Sequence, residues 1–353
     1  MADIRIEPVN FQGKDVDIDP VSVYDGRYYL YDMTMKYDYD VHAVIRNFTE
    51  QKEKYKSGGS SVDIESSNAV KKALGMTTDK EINFDLFGCT AFSVKSSEKS
   101  VYMGRNYDYA TNTSCVLVRC NPRPQVIGER KYKSIACAAS SSLTMEQFAN
   151  EDETIFKFLP FVCLDGINEK GVSIAILVAG NKEEMYPTYQ VADGSNIFTT
   201  LAVRLVLDCA ESTAEAITLL KGYNMFANGS KDYHFFISDM TGDSRIVEYD
   251  YRSDSRQMVV TKNDVVTNFY IYDENHFGHG YDRYKTVKEI LAKSKIESTE
   301  CWDALEKSSQ KYKAGDPTSN TQWSILFNNT NQSAEIAIRR HFDKKQRKSF
   351  YIK

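Results

Sequence analysis

Short runs in which apolar and polar residues alternate dominate the chain from residue 84 onward, and each predicts a strand with one buried face. Residues 89–94 (Cys-Thr-Ala-Phe-Ser-Val) and 100–105 (Ser-Val-Tyr-Met-Gly-Arg) read as two strands joined by the polar turn 95–99, and 116–120 as a third. Runs at 161–164 and 172–179 flank a turn at 165–171 that contains Gly166 and Gly171. The period then lengthens to that of helices, over 197–210 and again after Ser212-Thr213-Ala214-Glu215. Serine at the N-cap with glutamate three residues on is a capping box, and Gly222 is placed as the left-handed residue that ends the helix. Strands return at 234–239 and 244–249, then at 259–261 and 265–268. A helix over 282–293 and a hairpin of 323–327 with 334–340 complete the pattern. Blocks of strands and helices without regular βαβ alternation predict antiparallel sheets with helices layered outside them, an α+β architecture.

The first 88 residues have a different texture. They are rich in Tyr and Asp, turn helical over 40–56, pass through the linker Lys56-Ser57-Gly58-Gly59-Ser60-Ser61, and predict a second helix from 66 or 67 to 74, ended by Gly75. They read as an added, α-rich segment.

Composition narrows the function classes. The 353 residues carry 44 basic and 49 acidic side chains, well mixed, which gives no nucleic-acid footprint. The one basic cluster, Arg339 to Lys348, is interrupted by Asp343 and reads as a solvated hairpin. No apolar run is long enough to span a bilayer, and the N-terminus lacks the basic and apolar regions of a secretory signal. Seven cysteines at irregular spacing, with five histidines, argue against a disulfide framework or a zinc site. The expectation is a cytoplasmic protein whose thiols are mostly small buried hydrophobes.

One thiol stands apart. Gly88-Cys89-Thr90 opens a strand, and Gly104-Arg105-Asn106-Tyr107-Asp108 lies on its hairpin partner. A thiol attacks only as thiolate, so a nearby cation must favour that form, and Arg105 is placed to do so. Asp108 can orient a base or accept a proton. A papain-like mechanism wants a histidine, and the sequence offers none near Cys89. The gap closes if the Gly88–Cys89 bond is cut, because a free α-amine can serve as the base for its own side chain. Gly88 has no side chain to obstruct attack on its carbonyl.

These residues resemble the N-terminal-nucleophile hydrolases of the choloylglycine hydrolase and penicillin V acylase group, with the related acyl-coenzyme A:6-aminopenicillanic acid acyltransferases. The resemblance covers roughly residues 87–353. It implies a four-layer αββα sandwich with residues 1–88 as a prosegment, removed or retained as a separate chain after cleavage, and residues 89–353 as the catalytic domain. It implies Cys89, Arg105 and Asp108 as nucleophile and partners. By the same resemblance, Asn268 in Val266-Thr267-Asn268 donates to the oxyanion, and Arg283 is a further active-site arginine. Asn168 lies in a turn of the family's type, as a turn residue or a site residue. Val178 stands where relatives carry Asn or Tyr, so only its main-chain N–H is left for the oxyanion. The implied activity is hydrolysis of the linear amide of a small N-acyl compound such as a bile salt, a penicillin V or an N-acyl amino acid. No metal or organic cofactor is implied, and a homo-oligomer, dimer or tetramer, is compatible. An acyltransferase using the same acyl-enzyme, and a non-catalytic relative that binds acylated ligands, stay open at this point.

Overall fold

A computed structural model describes residues 8–50, 69–72, 88–124, 129–140, 153–180, 188–227, 231–315 and 319–352. Its strands run as β1 (Phe11–Gln12), β2 (Val16–Val21), β3 (Leu30–Met35), β4 (Cys89–Lys95), β5 (Val101–Asp108), β6 (Cys115–Cys120), β7 (Ser134–Ala139), β8 (Asp165–Asn168), β9 (Ser173–Ala179) and β10 (Ser195–Phe198). They continue as β11 (Tyr223–Phe226), β12 (Asp232–Ser238), β13 (Ser244–Tyr249), β14 (Met258–Lys262), β15 (Val265–Val266), β16 (Asn268–Phe269), β17 (Gly278–His279), β18 (Thr321–Asn328), β19 (Ser333–Ile338) and β20 (Lys348–Tyr351). The longer helices are α1 (Val41–Thr49), α2 (Thr199–Cys209), α3 (Thr213–Lys221), α4 (Tyr281–Leu291) and α5 (Ser298–Ser308).

Ten strands form one sheet, in the order β1-β2-β3-β6-β7-β8-β9-β12-β13-β14, and six form another, β15-β4-β5-β18-β19-β20. Helices α2 and α3 cover the outer face of the large sheet, and α4 and α5 that of the small one. This is the αββα sandwich expected from the sequence. Its interior is sealed by side chains such as Leu177, Phe236 and Ile325, and a second apolar cluster (Phe92, Val287, Leu305) glues α4 and α5 to the small sheet.

The described part of the leader, as residues 1–88 are called below, departs from its expected α-rich character. Its first part is three strands that extend the large sheet, with β3 running parallel to β6 and Leu30 opposite Cys115. Arg119 on β6 forks onto Asp32 of β3 at 2.7 and 3.0 Å. Val16 and Ile18 alternate inward on β2, and Met33 and Met35 on β3. Tyr31 and Asp32 keep that alternation, and Leu30, buried as well, is the position that departs from it. Helix α1 covers 41–49 of the expected 40–56, of which 51–56 lie outside the described residues, and Asp40 accepts from the His42 N–H at its start. Its apolar stripe of Val41, Val44, Ile45 and Phe48 packs toward β10 and α2. The linker at 56–61 lies outside the described residues, and of the second leader helix only 69–72 are described, as helix.

Other differences are local. The apolar run before Asp165 is buried as a 3-10 turn, Leu159–Phe161, and the strand begins at Asp165, inside the expected turn. Helix α3 is capped by Ser212 as expected, but Gly222 keeps a right-handed φ of −77°, because the chain enters β11 at once. Helix α5 and strand β20 were not legible as elements. The basic cluster does form a hairpin link, between β19 and β20.

Candidate active site

Side chains alternate across a strand, and on β4 this decides what Cys89 meets. Phe92 faces α4 and α5, whereas Cys89 and Ser93 face the large sheet, with Ser93 Oγ 2.7 Å from Ser238 Oγ. The β4–β5 register sets Cys89 opposite Tyr107 and Ala91 opposite Arg105, which brings Arg105 diagonally beside Cys89 on the same face. Arg105 Nη2 donates to Cys89 Sγ at 3.2 Å and to the Ile176 carbonyl of β9 at 3.2 Å. The guanidinium is buried between the sheets, 4.9 Å from the Tyr107 ring centre. Its ion partner is Asp165, with Nε 3.1 Å from Oδ2.

Burial dominates the thiol in this uncut chain. Desolvation pushes Cys89 up to about 12, Asp108 adds to the rise, and Arg105 and Arg283 oppose it. Before Cys89 the chain is also held: Gly88 is buried, and its carbonyl accepts the Asp108 main-chain N–H at 2.9 Å.

A second set of groups fixes the Cys89 main chain. Val266 on β15 pairs with Ala91, which delivers Asn268 to the start of β4. Asn268 Oδ1 accepts the Cys89 N–H at 3.1 Å, and its Nδ2 donates to the Val178 carbonyl at 2.8 Å. Arg283, in the first turn of α4, donates from Nη1 to the Cys89 carbonyl (2.6 Å) and Thr90 Oγ1 (2.8 Å), and from Nη2 to Asn268 Oδ1 (2.8 Å). The N-cap of α4 is Gly280 at φ 87°, where a Cβ would lie 2.4 Å from Arg283 Nη2. Only glycine leaves the arginine its place.

The two acidic partners are therefore divided. Positions 105 and 108 differ by an odd number on one strand, so their side chains point to opposite faces. Asp108 accepts from Gln310 Nε2 (2.6 Å) and Thr321 Oγ1 (2.5 Å) and lies 3.7 Å from Arg283 Nη1. Burial holds its carboxyl above the usual carboxylate value, and Arg283 and these donors oppose that rise only in part. Asp165 was read only as part of a turn; its partnership with Arg105 had no local signal.

Asn168 spends its polar atoms on main chain. Its Nδ2 donates to the Leu207 and Ala210 carbonyls at the end of α2, and its Oδ1 accepts from the N–H groups of Lys170 and Val172. Phe156, Phe158, Leu159 and Phe161 are core. Among the described residues no cluster of three or more His, Cys, Asp or Glu could hold a metal ion, and no helix is long and apolar enough to cross a membrane.

The family model of the linear amide C–N hydrolases, choloylglycine hydrolase family, matches residues 89–306 and begins at Cys89. The chain belongs to the choloylglycine hydrolase family. It is thus a hydrolase of linear amide C–N bonds. Penicillin V acylase from Agrobacterium tumefaciens shares its fold at 18% identity and a TM-score of 0.51, over 71% of this chain and 83% of that one. A variant of the conjugated bile acid hydrolase from Clostridium perfringens does so at 16% identity and a TM-score of 0.53, over 75% of this chain and 92% of that one. No curated protein matches the sequence. In this choloylglycine hydrolase family member the strands β1 to β3, before Cys89, are part of the large sheet.

Proposed function

We propose that this chain is a self-processing cysteine amidase with Cys89 as its nucleophile. The observation that carries the proposal is the buried Arg105 guanidinium on Cys89 Sγ, at the first residue after Gly88. In processing, Sγ attacks the Gly88 carbonyl, and the Asp108 N–H already on that oxygen receives the developing charge. The acyl group passes to sulfur, the Cys89 amine is freed, and water hydrolyses the thioester to leave Gly88 with a carboxylate and Cys89 with its thiol.

In turnover the thiol passes its proton to the new α-amine, which Asn268 Oδ1 holds, and the thiolate attacks the substrate amide. Asn268 Nδ2 has one N–H beyond the bond to Val178, and with the Val178 N–H it can steady the oxyanion. The α-ammonium protonates the departing amine, and water, activated by the same amine, clears the thioester. Arg105 favours the thiolate. Arg283, neutralised by Asp108, fixes the Cys89 carbonyl and Asn268 together. The leader stays in place as a second chain, because its strands belong to the large sheet.

The substrate class is tested with a panel of N-acyl amides, namely N-acyl amino acids, a conjugated bile salt and penicillin V, scored by release of free amine. At least one is expected to be hydrolysed, with a loss on the order of 10³-fold or more in Cys89→Ala. Turnover retained in Cys89→Ala would remove the thiol from the mechanism.

A further inference from the structure

His234 has no part in the steps above, yet it is fully buried on β12, between two acceptors. Its Nε2 lies 2.7 Å from the Thr267 carbonyl, and its Nδ1 lies 3.0 Å from Glu248 Oε1 on the neighbouring strand β13. A carbonyl oxygen only accepts, so Nε2 carries a hydrogen. Glu248, also fully buried, takes two further donors, the main-chain N–H of Ile271 on Oε1 (2.8 Å) and that of Tyr272 on Oε2 (3.0 Å). The pair grips the segment 267–272 at both ends, and Asn268 lies between the grips.

Thr267 carries the hold further. Its Oγ1 donates to the Gly280 carbonyl at 3.1 Å, and that same carbonyl accepts the Tyr284 N–H in the first turn of α4, where Arg283 sits. A Cβ on Gly280 would lie 3.2 Å from Thr267 Cβ, so the two segments meet without slack. Asn268 and Arg283 both hold the Cys89 main chain, and both hang from Thr267. Burying an imidazole and a carboxylate costs desolvation that an apolar pair of equal volume would avoid. What the polar pair supplies is direction, since hydrogen bonds to one carbonyl and two N–H groups fix where the strand lies.

We propose that His234 and Glu248 are the positioning pair of this site, aligning Asn268 and Arg283 on Cys89 by holding Thr267. The pair touches neither substrate nor Sγ, and its role rests on Cys89 being the nucleophile. The full chain provides the test, with His234→Phe removing both ring hydrogen bonds and Glu248→Gln keeping the side-chain shape. Self-cleavage at Gly88–Cys89 is timed by intact mass well below the melting temperature, with circular dichroism to verify folding. Folded variants are expected to cleave about tenfold or more slowly, since small misplacements at a reacting centre carry such costs. In full-length Cys89→Ala labelled with ¹⁵N-histidine, His234 Nε2 is expected to show a bonded hydrogen.

A purely structural role would lower the melting temperature and leave the cleavage rate alone. Wild-type cleavage in a folded variant, with Cys89→Ala uncut, overturns the positioning role and leaves the nucleophile standing. Cleavage in Cys89→Ala overturns both. Where both variants fail to fold, the labelled histidine decides, and an Nε2 without hydrogen overturns the pairing.

Discussion

Arg105→Met is expected to abolish amide hydrolysis and to weaken the fold by about 3–5 kcal/mol, the cost of leaving one member of a buried ion pair alone. The stranded partner is Asp165, fully buried 3.1 Å from the guanidinium that would be lost. Two effects coincide because one side chain serves two groups: Nε faces Asp165 and Nη2 faces Cys89 Sγ. The double variant Arg105→Met, Asp165→Asn separates them. Removing the orphaned charge recovers most of the stability, read as the urea midpoint, while hydrolysis stays lost because no cation remains to favour the thiolate. Hydrolysis at the wild-type rate in the double variant would show that Arg105 is structural only.

A chain that begins at Cys89 and never carried the leader is expected to aggregate. Val16, Ile18, Leu30, Met33, Val44 and Phe48 are all fully buried, and each contributes about 1.5–3 kcal/mol of burial. Their sum is comparable to the whole stability of a typical domain, about 5–15 kcal/mol. Without β3, strand β6 becomes an exposed edge flanked by apolar surface, a template for pairing with other chains. Coexpression of residues 1–88 with 89–353 is expected to restore a soluble, non-covalent pair that separates only in denaturant. A soluble 89–353 chain with an unchanged melting temperature would show that the leader is dispensable to the fold.

The hairpin carrying Cys89 and Arg105 was legible because both halves are local: alternation gave the strands, and the short turn fixed the diagonal contact between them. Asn268 and Arg283 were reached through resemblance, and the residues themselves explain why. Their contacts with Cys89 span 179 and 194 positions of sequence, and nothing in their own neighbourhoods announces a site. Asp165 was hidden by its glycine-containing surroundings, which read as a turn although the chain is extended there. The parity of β5 was present in the sequence and separates Asp108 from Arg105. The leader misled by composition, since Tyr and Asp on β3 mask a strand that buries Leu30 and Met33. His234 sits among Tyr, Phe and Ile on a wholly buried strand, where a core histidine and a positioning one look alike.

The most direct test of the nucleophile is the intact mass of the purified wild-type protein beside Cys89→Ala. The expected result is two fragments, residues 1–88 and 89–353, from the wild type, and one uncut chain of 40.2 kDa from the variant. A wild-type protein that hydrolyses N-acyl amides while still a single 40.2 kDa chain would contradict an N-terminal nucleophile at Cys89.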